Sequence, residues 1–319
     1  MIRGSPKFEV DCLQDLIDLA SKNDEKDNKD IQALVDIRKS LIKLNNMVGL
    51  DELKQQIVYQ VMFFIQKLNT DEMMHTALIG PPGVGKTTVA KILANIYKKL
   101  GFLTKGNLIV VNREDLVGQY LGETAIKTRT VLEASIGNVL FIDEAYSLGS
   151  GTNHQDMYAK ECVDTLTGFL SEYTKNFICI IAGYESELQR CFFGGNPGLD
   201  RRFPWKYTLE SYKSPQLSEI FKSMLVQKQW KFRQSQKAIS ISTLEKLISE
   251  QQQLFTNNGG DIQNLINFCM MAHSKRIFGD RRSFKKQLVM ADIENGFKLY
   301  KANKKGVSHE SPVLSHMYL

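Results

Sequence analysis

An octapeptide near residue 80 combines glycine, lysine and hydroxyl side chains at the spacing of a phosphate-binding loop. It reads Gly80-Pro-Pro-Gly-Val-Gly-Lys-Thr87 and fits the pattern G-x-x-x-x-G-K-S/T. Glycines let successive backbone N–H groups turn inward around phosphate oxygens, and a following helix adds the positive end of its dipole. Lys86 would place its charge on the β and γ phosphates, and Thr87 would offer a hydroxyl to Mg²⁺. The predicted nucleotide-binding residues are Gly80, Pro81, Pro82, Gly83, Val84, Gly85, Lys86, Thr87 and Thr88.

Two adjacent carboxylates follow an apolar run further along the chain, in Val139-Leu-Phe-Ile-Asp143-Glu144. At the carboxyl end of a buried strand they would lie beside the phosphate loop, where open α/β sheets bind ligands. We expect Asp143 to hold magnesium through water and Glu144 to orient or deprotonate the attacking water. An acidic strand cap is the structural alternative, but the upstream loop favours ATP hydrolysis as the chemistry.

Short apolar runs alternate with helical segments between residues 47 and 212. The helix predicted over Lys86–Leu100 carries apolar residues at helical spacing and stops at Gly101. Repeated strand–helix–strand units favour an α/β fold with a parallel sheet between helices on both faces. The predicted strands are Thr76–Ile79, Leu108–Val111, Val139–Ile142, Phe177–Ala182 and Lys206–Leu209.

The chain outside this segment reads as helical. An N-terminal extension shows two apolar periods, at 13–20 and 31–44, and would form two short helices docked on the core or on a neighbouring subunit. No strand is expected after Tyr212, so the C-terminal part is predicted to be a small all-helical domain. The predicted divisions are 1–46 (helical extension), 47–212 (nucleotide-binding α/β domain), 213–303 (helical domain) and 304–319 (disordered tail). The predicted C-terminal helices are Ser214–Trp230, Ser242–Gln252, Asp261–Phe278 and Asp292–Lys301.

The composition excludes several other classes of protein. The 319 residues are 43% hydrophobic and 24% charged, which excludes a wholly disordered chain or a disulfide-rich miniprotein. No apolar stretch approaches the length of a membrane span, and the first residues lack the apolar core of a secretion signal. The five cysteines are scattered without Cys-x-x-Cys spacing, and the histidines show no metal-ligand spacing. We therefore expect a cytoplasmic protein of a reducing compartment, without a zinc site.

The formal charge of +6 is unevenly distributed. Residues 201–319 carry 20 Lys/Arg and 9 Asp/Glu, a balance of +11, which leaves −5 for the first 200 residues. A basic C-terminal part could attract nucleic acid or an acidic protein surface. No dense patch is visible, so a solvated helical surface is the simpler interpretation.

Taken together, the motifs resemble those of the AAA+ ATPases, most closely the CbxX/CfqX-like branch. That branch includes red-type Rubisco activases and sporulation stage V protein K-like proteins. The resemblance covers about residues 47–300 and rests on five blocks in the family's order. The matching blocks are 48–50 (Val-Gly-Leu), 115–122 (Asp-Leu-Val-Gly-Gln-Tyr-Leu-Gly), 139–146 (Val-Leu-Phe-Ile-Asp-Glu-Ala-Tyr), 181–184 (Ile-Ala-Gly-Tyr) and 196–198 (Asn-Pro-Gly).

The resemblance implies further residue roles. Val48 and Gly49 would lie near adenine, although a plain turn would explain them equally well. Arg202 would be the arginine finger that reaches the γ-phosphate of an adjacent subunit, with Arg201 as the alternative. A finger supplied in trans requires an oligomer, and members of the family usually form hexameric rings.

A loop at 119–122 (Gln-Tyr-Leu-Gly) resembles the family's pore loop, which grips a polypeptide in the channel of the ring. An aromatic followed by an aliphatic side chain suits contact with chains of varied sequence, because apolar contact is non-directional. The alternative is that Tyr120 packs beneath its own loop.

The sequence departs from the wider family at two positions. Tyr184 follows the fourth strand, where many AAA+ proteins carry a polar sensor, and its role is left open. Gly260 occupies the position of an arginine that the branch usually offers to the γ-phosphate. Other AAA proteins carry a similar Gly-Ala-Asp-Ile run, so this departure bears on Rubisco activation more than on ATP hydrolysis.

The favoured function is therefore an ATP- and magnesium-dependent remodeller of a client protein. A nucleic-acid motor or loader is the alternative, although no DNA-reading helix-turn-helix or zinc finger is visible. A nucleotide-gated scaffold with slow turnover is a third possibility, and an intact Glu144 argues against it. The predicted partners are further copies of the chain and a client protein, with no membrane.

Overall fold

The computed structural model divides the chain into two compact units. The first comprises Met1–Pro81 and Gly85–Glu210, and the second comprises Pro82–Val84 and Ser211–Leu319. The N-terminal extension thus belongs to the same unit as the α/β segment, and the division at 210/211 lies two residues before the expected boundary. The structure describes residues 8–21, 28–68, 73–120, 122–149, 156–194, 196–233, 241–279 and 285–307. The expected C-terminal tail lies almost wholly outside these ranges.

A five-stranded parallel sheet forms the centre of the first unit. Its spatial order is β2-β3-β4-β1-β5, so the chain crosses over between non-adjacent strands. Ile79 of β1 lies opposite Gly183 of β4 and Thr208 of β5, which aligns the carboxyl ends of these strands along one edge. The strands are β1 (Thr76–Ile79), β2 (Leu108–Val111), β3 (Val139–Ile142), β4 (Ile178–Gly183) and β5 (Trp205–Thr208).

The prediction of a parallel α/β sheet is confirmed. The first three strands have the predicted bounds, and the last two differ by one residue at each end. Every residue of β1, β3 and β4 is buried, as continuous apolar runs require when helices cover both faces of a sheet. The helices of the first unit are α1 (Leu13–Leu19), α2 (Lys29–Asn45), α3 (Asp51–Ile65), α4 (Lys86–Lys99), α5 (Arg113–Leu116), α6 (Glu123–Ala134), α7 (Met157–Glu172), α8 (Glu185–Glu187) and α9 (Pro197–Asp200). A 3₁₀ turn (Ala145–Leu148) and a π-helical turn (Leu188–Phe193) complete it.

The N-terminal helices pack on the core of their own chain. Helix α2 buries Ile31, Leu34, Ile37, Leu41 and Leu44, an i, i+3, i+4 stripe that faces α4. Helix α1 in turn packs on α2. Of the two placements that the sequence left open, the structure therefore shows docking within the chain.

The second unit is mainly helical, in agreement with the predicted helical lid. It also contains two short strands, β6 (Lys231–Phe232) and β7 (Gln287–Leu288), which pair in parallel. The expectation that no strand follows Tyr212 is therefore wrong, because a two-residue strand is too short to show an alternating pattern. Its helices are α10 (Ser214–Gln227), α11 (Ile241–Glu250), α12 (Asn258–Ile277) and α13 (Met290–Val307), with a 3₁₀ turn at Gln252–Leu254. Among the helices that the structure describes, none has the length and apolar sequence needed to cross a bilayer.

A buried histidine makes the stability of the first unit depend on pH. His75 is fully buried, and its Nδ1 accepts a hydrogen bond from the Cys179 N–H at 3.0 Å. Burial lowers its pKa to about 4, so the unfolded chain binds the proton more readily than the folded one between pH 6.5 and 4. We expect this group to remove up to about 3 kcal/mol of stability as the pH falls through that window. Chemical unfolding from pH 7 to 4 should show a shallower loss for His75→Asn, which keeps an acceptor but does not titrate. Equal pH slopes for the two proteins would contradict this.

Candidate active site

The phosphate-binding loop begins where β1 ends. The Gly80 N–H donates to the Gly183 carbonyl at 3.0 Å, which ties the loop to the end of β4. A Cβ at Gly80 would lie 2.3 Å from the Leu209 carbonyl oxygen, so only glycine fits there. Gly85 is left-handed (φ 99°) and precedes α4, which begins at Lys86. The first N–H groups of α4 have no acceptor within the helix and suit an anion.

Lys86 and Thr87 both lie in the first turn of α4. The Lys86 Nζ donates to the carbonyl oxygens of Gly80 (2.7 Å) and Pro81 (2.8 Å). Burial lowers the pKa of Lys86, while Asp143 and Glu144 act in the opposite direction. The lysine therefore lies in the field of both predicted carboxylates. Thr87 is partly exposed, and Thr88 is exposed.

The middle of the loop, Pro82–Val84, belongs to the second unit. Its three carbonyl oxygens accept hydrogen bonds from the Asn258 side chain (3.1 Å), the Gly259 N–H (3.1 Å) and the Tyr212 hydroxyl (2.8 Å). Gly83 has φ +73°, and a Cβ there would lie 2.1 Å from the Asn257 carbonyl oxygen. The glycine at this position is therefore required both by the backbone conformation and by space.

Asp143 and Glu144 follow β3 directly. The Asp143 N–H donates to the Val111 carbonyl at 3.1 Å, which continues the pairing of β3 with β2. Glu144 adopts a left-handed conformation (φ 50°, ψ 44°), and its N–H donates to Asp143 Oδ1 at 3.1 Å. Both residues stand at the sheet edge where the loop begins, and the Glu144 side chain is exposed. Both carboxylates thus follow β3 at this edge, and their roles in holding magnesium and activating water stay predictions.

Two tyrosines that the sequence left without an assigned role also border this site. Tyr184 follows β4, and the Lys86 Nζ lies 5.8 Å from the centre of its ring. Tyr146 lies two residues after Glu144, and its ring centre is 5.9 Å from that of Tyr184. Tyr146 lies within one of the sequence blocks that resemble the AAA+ family (139–146), but no local pattern assigns it a role.

The segment at 47–50 lies near the phosphate loop at Gly85. Gly49 (φ 64°) and Leu50 (φ 62°) are consecutive left-handed residues that lead into α3. The methyl carbon of Met47 lies 3.0 Å from the position that a Cβ would take at Gly85. Val48 and Gly49 are thus close in sequence to a residue that touches the loop, and their predicted contact with adenine stays a prediction.

Arg202 is half-buried and bonded within its own chain. Its Nε and one terminal nitrogen donate to the Ser171 hydroxyl at 2.9 and 2.6 Å, and its other terminal nitrogen donates to the Gly198 carbonyl. Arg201 is exposed. Both arginines precede β5, and the assignment of Arg202 as the arginine finger stays a prediction.

The loop before α6 presents Tyr120 to solvent. The Tyr120 side chain is 69% exposed, which rules out the alternative that it packs beneath its loop. The N–H groups of Gln119 and Tyr120 both donate to Glu123 Oε2 at 3.2 Å, so the helix holds the loop backbone. Leu121, the second residue of the predicted grip, lies outside the described residues.

Gly260 lies in the first turn of α12, in the second unit. It is exposed, and a Cβ there would meet only the Asn257 Cβ, at 3.9 Å. The backbone would therefore accept a side chain, and glycine at this position is not a steric requirement.

In the described part of the chain, no three His, Cys, Asp or Glu side chains form a group that could hold a metal ion.

The fold and the site define a P-loop ATPase with a helical lid. The family model "ATPase family associated with various cellular activities (AAA)" matches residues 76–190, and an AAA lid model matches residues 213–300. The chain belongs to the AAA ATPase family and is of the CbxX/CfxQ type.

Relatives of this type share about a third of their residues with the chain. A CfxQ-like protein of Acanthamoeba polyphaga mimivirus is 37% identical over 295 residues, which cover 92% of this chain and 71% of the relative. Stage V sporulation protein K of Bacillus subtilis is 35% identical over 248 residues, 75% of this chain and 76% of the relative. A plasmid-encoded CbxX protein of Cupriavidus necator is 34% identical over 207 residues, 65% of this chain and 64% of the relative.

Solved structures share the fold at low sequence identity. The FIGL-1 AAA domain in complex with ADP aligns with a TM-score of 0.58 at 19% identity, over 82% of this chain and 87% of that one. A RuvB mutant from Thermotoga maritima aligns with a TM-score of 0.56 at 18% identity, over 80% and 72%. These likenesses support the P-loop fold, and family membership makes the protein an ATP hydrolase.

Proposed function

We propose that this ATPase hydrolyses ATP with Glu144 as the group that activates water and Lys86 as the main contact to the β and γ phosphates. The supporting observation is that Lys86, Asp143 and Glu144 converge at one sheet edge, where the two carboxylates favour the charged form of the lysine and oppose the effect of burial on its pKa. Lys86 donates to the carbonyl oxygens of Gly80 and Pro81, which phosphate oxygens can replace as stronger, charged acceptors.

Thr87 and Asp143 are the proposed magnesium contacts. A hydroxyl and a carboxylate are hard oxygen donors, and Mg²⁺ is commonly bound by one or two such protein groups together with water and substrate phosphates. Asp143 is half-exposed and keeps Oδ2 outside its hydrogen bond to the Glu144 N–H, so its carboxylate suits this role. The ion would neutralise charge that develops on the phosphates.

The proposed biological work is remodelling of a client polypeptide by a ring of subunits, for which six is the expected number. The exposed aromatic side chain of Tyr120 supports this proposal, since a large apolar ring at the surface can contact polypeptides of varied sequence without directional bonds. The hydrogen bonds from the Gln119 and Tyr120 N–H groups to Glu123 would hold the loop backbone in place while the aromatic side chain of Tyr120 contacts the client polypeptide.

Replacing Tyr120 tests the grip. We expect Tyr120→Ala to keep basal ATP hydrolysis within about twofold and to lose stimulation by casein, an unfolded polypeptide, because an alanine methyl cannot replace the aromatic contact area. A suitable control is Ile126→Ala, which removes an equally exposed apolar side chain (70%) from α6 and should keep the stimulation. Casein-stimulated turnover that survives in Tyr120→Ala, or no stimulation of the parent, would contradict a sequence-tolerant grip.

A nucleic-acid motor is the second candidate, and one surface feature favours it. Phe278 is 91% exposed and follows the exposed Lys275 near the end of α12, an aromatic–basic combination that can stack on bases. If this candidate is right, DNA or RNA should stimulate the ATPase, and the stimulation should fall steeply with salt as counterions are released. Stimulation that is unaffected by Tyr120→Ala would favour this candidate over the remodeller. Arg281 and Arg282, which the sequence suggests as further contacts, lie outside the described residues.

A further inference from the structure

A cleft lies between helix α3 and β5, the strand at one edge of the central sheet. Its volume of about 510 Å³ falls within the range of small-molecule sites. Trp205 begins β5 opposite Thr76, the first residue of β1, whereas the phosphate loop follows the last residue of β1. The cleft therefore extends toward the amino ends of these strands, away from the nucleotide site. The residues that line it include Gln56, Tyr59, Gln60 and Phe63 on α3 and Trp205 and Tyr207 on β5.

Three of these side chains have a buried polar atom without a hydrogen-bond partner among the described residues. The atoms are Gln56 Oε1, Gln60 Nε2 and the Tyr207 hydroxyl oxygen. Gln60 and Tyr207 are each only 2% exposed. Buried polar groups are nearly always hydrogen-bonded, because one that is left without a partner destabilises the fold. Three such atoms around one cleft indicate a ligand that supplies the missing hydrogen bonds.

The three atoms offer both kinds of hydrogen-bonding group. The Gln56 oxygen accepts, the Gln60 nitrogen donates, and the Tyr207 hydroxyl can do either. Gln56 and Gln60 are four residues apart on α3, so their side chains lie on the same face of the helix. The Gln60 amide lies near the Tyr207 hydroxyl, since it opposes the rise that burial causes in the pKa of Tyr207, but the two groups form no direct hydrogen bond. This arrangement is complementary to a ligand with a donor and an acceptor close together.

Aromatic rings form the apolar part of the cleft. The ring centres of Phe63 and Trp205 lie 6.3 Å apart. The Trp205 indole is held in place, because its Nε1 donates to the Met73 carbonyl at 3.1 Å. Tyr59 is 61% exposed and stands at the rim. Such rings favour contact with a flat, apolar body.

The charge of the cleft favours a neutral ligand. Lys206 is the one residue with a charged side chain among the described residues that line it. Its Nζ forms an ion pair with Asp200 at 2.5 Å and lies 5.1 Å from the centre of the Phe193 ring. A carboxylate or phosphate in the cleft would have to compete with Asp200 for this cation, and an unpaired charge is costly to bury.

We propose that this cleft binds a small, uncharged, planar amide or lactam. The ligand carbonyl accepts hydrogen bonds from Gln60 and Tyr207, and the ligand N–H donates to Gln56. The apolar body of the ligand lies against Phe63 and Trp205. This site goes beyond the proposed ATPase function and does not depend on the role of any catalytic residue.

The fluorescence of Trp205 can report binding of benzamide, a simple probe of this class. The chain has two tryptophans, so Trp230→Phe, which changes a residue of the second unit, leaves Trp205 as the single indole. Benzamide should change its emission saturably with a Kd of about 1 mM, as expected for nine non-hydrogen atoms. Methyl benzoate has the carbonyl but no N–H, and benzoate is charged. Both should bind at least about tenfold more weakly, because each leaves a buried polar group unpaired or brings in a charge.

Two substitutions remove the unpaired polar atoms and nearly preserve side-chain size. Gln60→Met and Tyr207→Phe should each weaken benzamide binding at least about fivefold, since each removes a donor to the ligand carbonyl. Each should also raise the melting temperature of the ligand-free protein, because a buried polar atom without a partner is lost. The matched control is Gln55→Met, which replaces an exposed glutamine of the same helix and should change neither quantity.

Water alone is the other way to satisfy these atoms, and it gives different results. Benzamide would then cause no saturable change in Trp205 emission, and Gln60→Met would lower the melting temperature because water-mediated hydrogen bonds are lost. That outcome would overturn the proposal, as would equal affinity for benzamide and methyl benzoate or parent-like affinity in both variants. These measurements involve no ATP hydrolysis, so their failure would leave the catalytic assignments unaffected.

Discussion

Glu144→Gln protein should bind ATP as tightly as the parent and hydrolyse it at least about 100-fold more slowly. The amide keeps the size of the side chain but cannot accept a proton from water, and removing a positioned general base commonly costs a factor of 10² to 10⁴. Binding should persist because Lys86 and the first-turn N–H groups of α4, which are the proposed phosphate contacts, remain. Fluorescent-nucleotide titration and phosphate release measure the two quantities separately.

Lys86→Ala provides the contrasting variant. It removes the only side-chain cation in the phosphate loop, so we expect nucleotide affinity itself to be lost along with turnover. Lys91→Ala, one and a half turns further along α4 and exposed, is the matched control and should bind and hydrolyse ATP normally. Parent-like turnover by Glu144→Gln, or parent-like affinity in Lys86→Ala, would remove the corresponding residue from its proposed role.

The strands of the sheet and the position of the phosphate loop could be predicted from the sequence, because each depends on a short stretch of neighbouring residues. The strands β1 and β3 that border the site are buried on both faces of the sheet. Such strands are continuous apolar runs, which can be recognised without knowledge of the rest of the fold. The one-residue error at β4 has a physical cause. Phe177 is buried but unpaired, and hydrophobicity reports burial rather than strand pairing.

The position of Tyr146 could not be predicted from its neighbours in the sequence. The position of its ring depends on the left-handed backbone of Glu144 and on Gly183, which is distant in sequence and lies next to the Tyr146 ring in the fold. Neither the turn conformation nor the strand neighbour can be read from the residues around Tyr146. Which strands are neighbours follows from the strand order β2-β3-β4-β1-β5, and that order was not predicted from the sequence.

Arg202 illustrates the same limit for an assigned residue. The family resemblance assigns it as the arginine finger, and the fold pairs its guanidinium with Ser171, which lies 31 residues earlier on α7. The guanidinium is therefore already oriented within its own subunit. For an arginine finger this is useful, because a pre-oriented group loses less conformational entropy when it meets a phosphate.

Arg202→Ala should retain ATP affinity and lose about a thousandfold or more in turnover, because arginine fingers contribute on that scale to the stability of the phosphoryl-transfer transition state. Arg201→Ala tests the alternative finger and should be the milder change. Ser171→Ala is the structural control. It removes the partner of Arg202 within the chain but keeps the guanidinium, so it should lose much less turnover than Arg202→Ala. Equal losses of both turnover and thermal stability in the two variants would mean that the arginine serves the fold rather than catalysis.

Mixing the two inactive proteins tests whether the finger acts in trans. Arg202→Ala subunits keep Lys86, Asp143 and Glu144, and Glu144→Gln subunits keep Arg202. An Arg202→Ala site that faces a Glu144→Gln neighbour is therefore complete, and mixtures should recover turnover that neither protein shows alone. The recovered rate should peak at intermediate mixing ratios and disappear on dilution, since it depends on assembly. A mixture with only the summed activities of its components, together with parent activity that stays proportional to concentration at high dilution, would show that each subunit hydrolyses ATP alone.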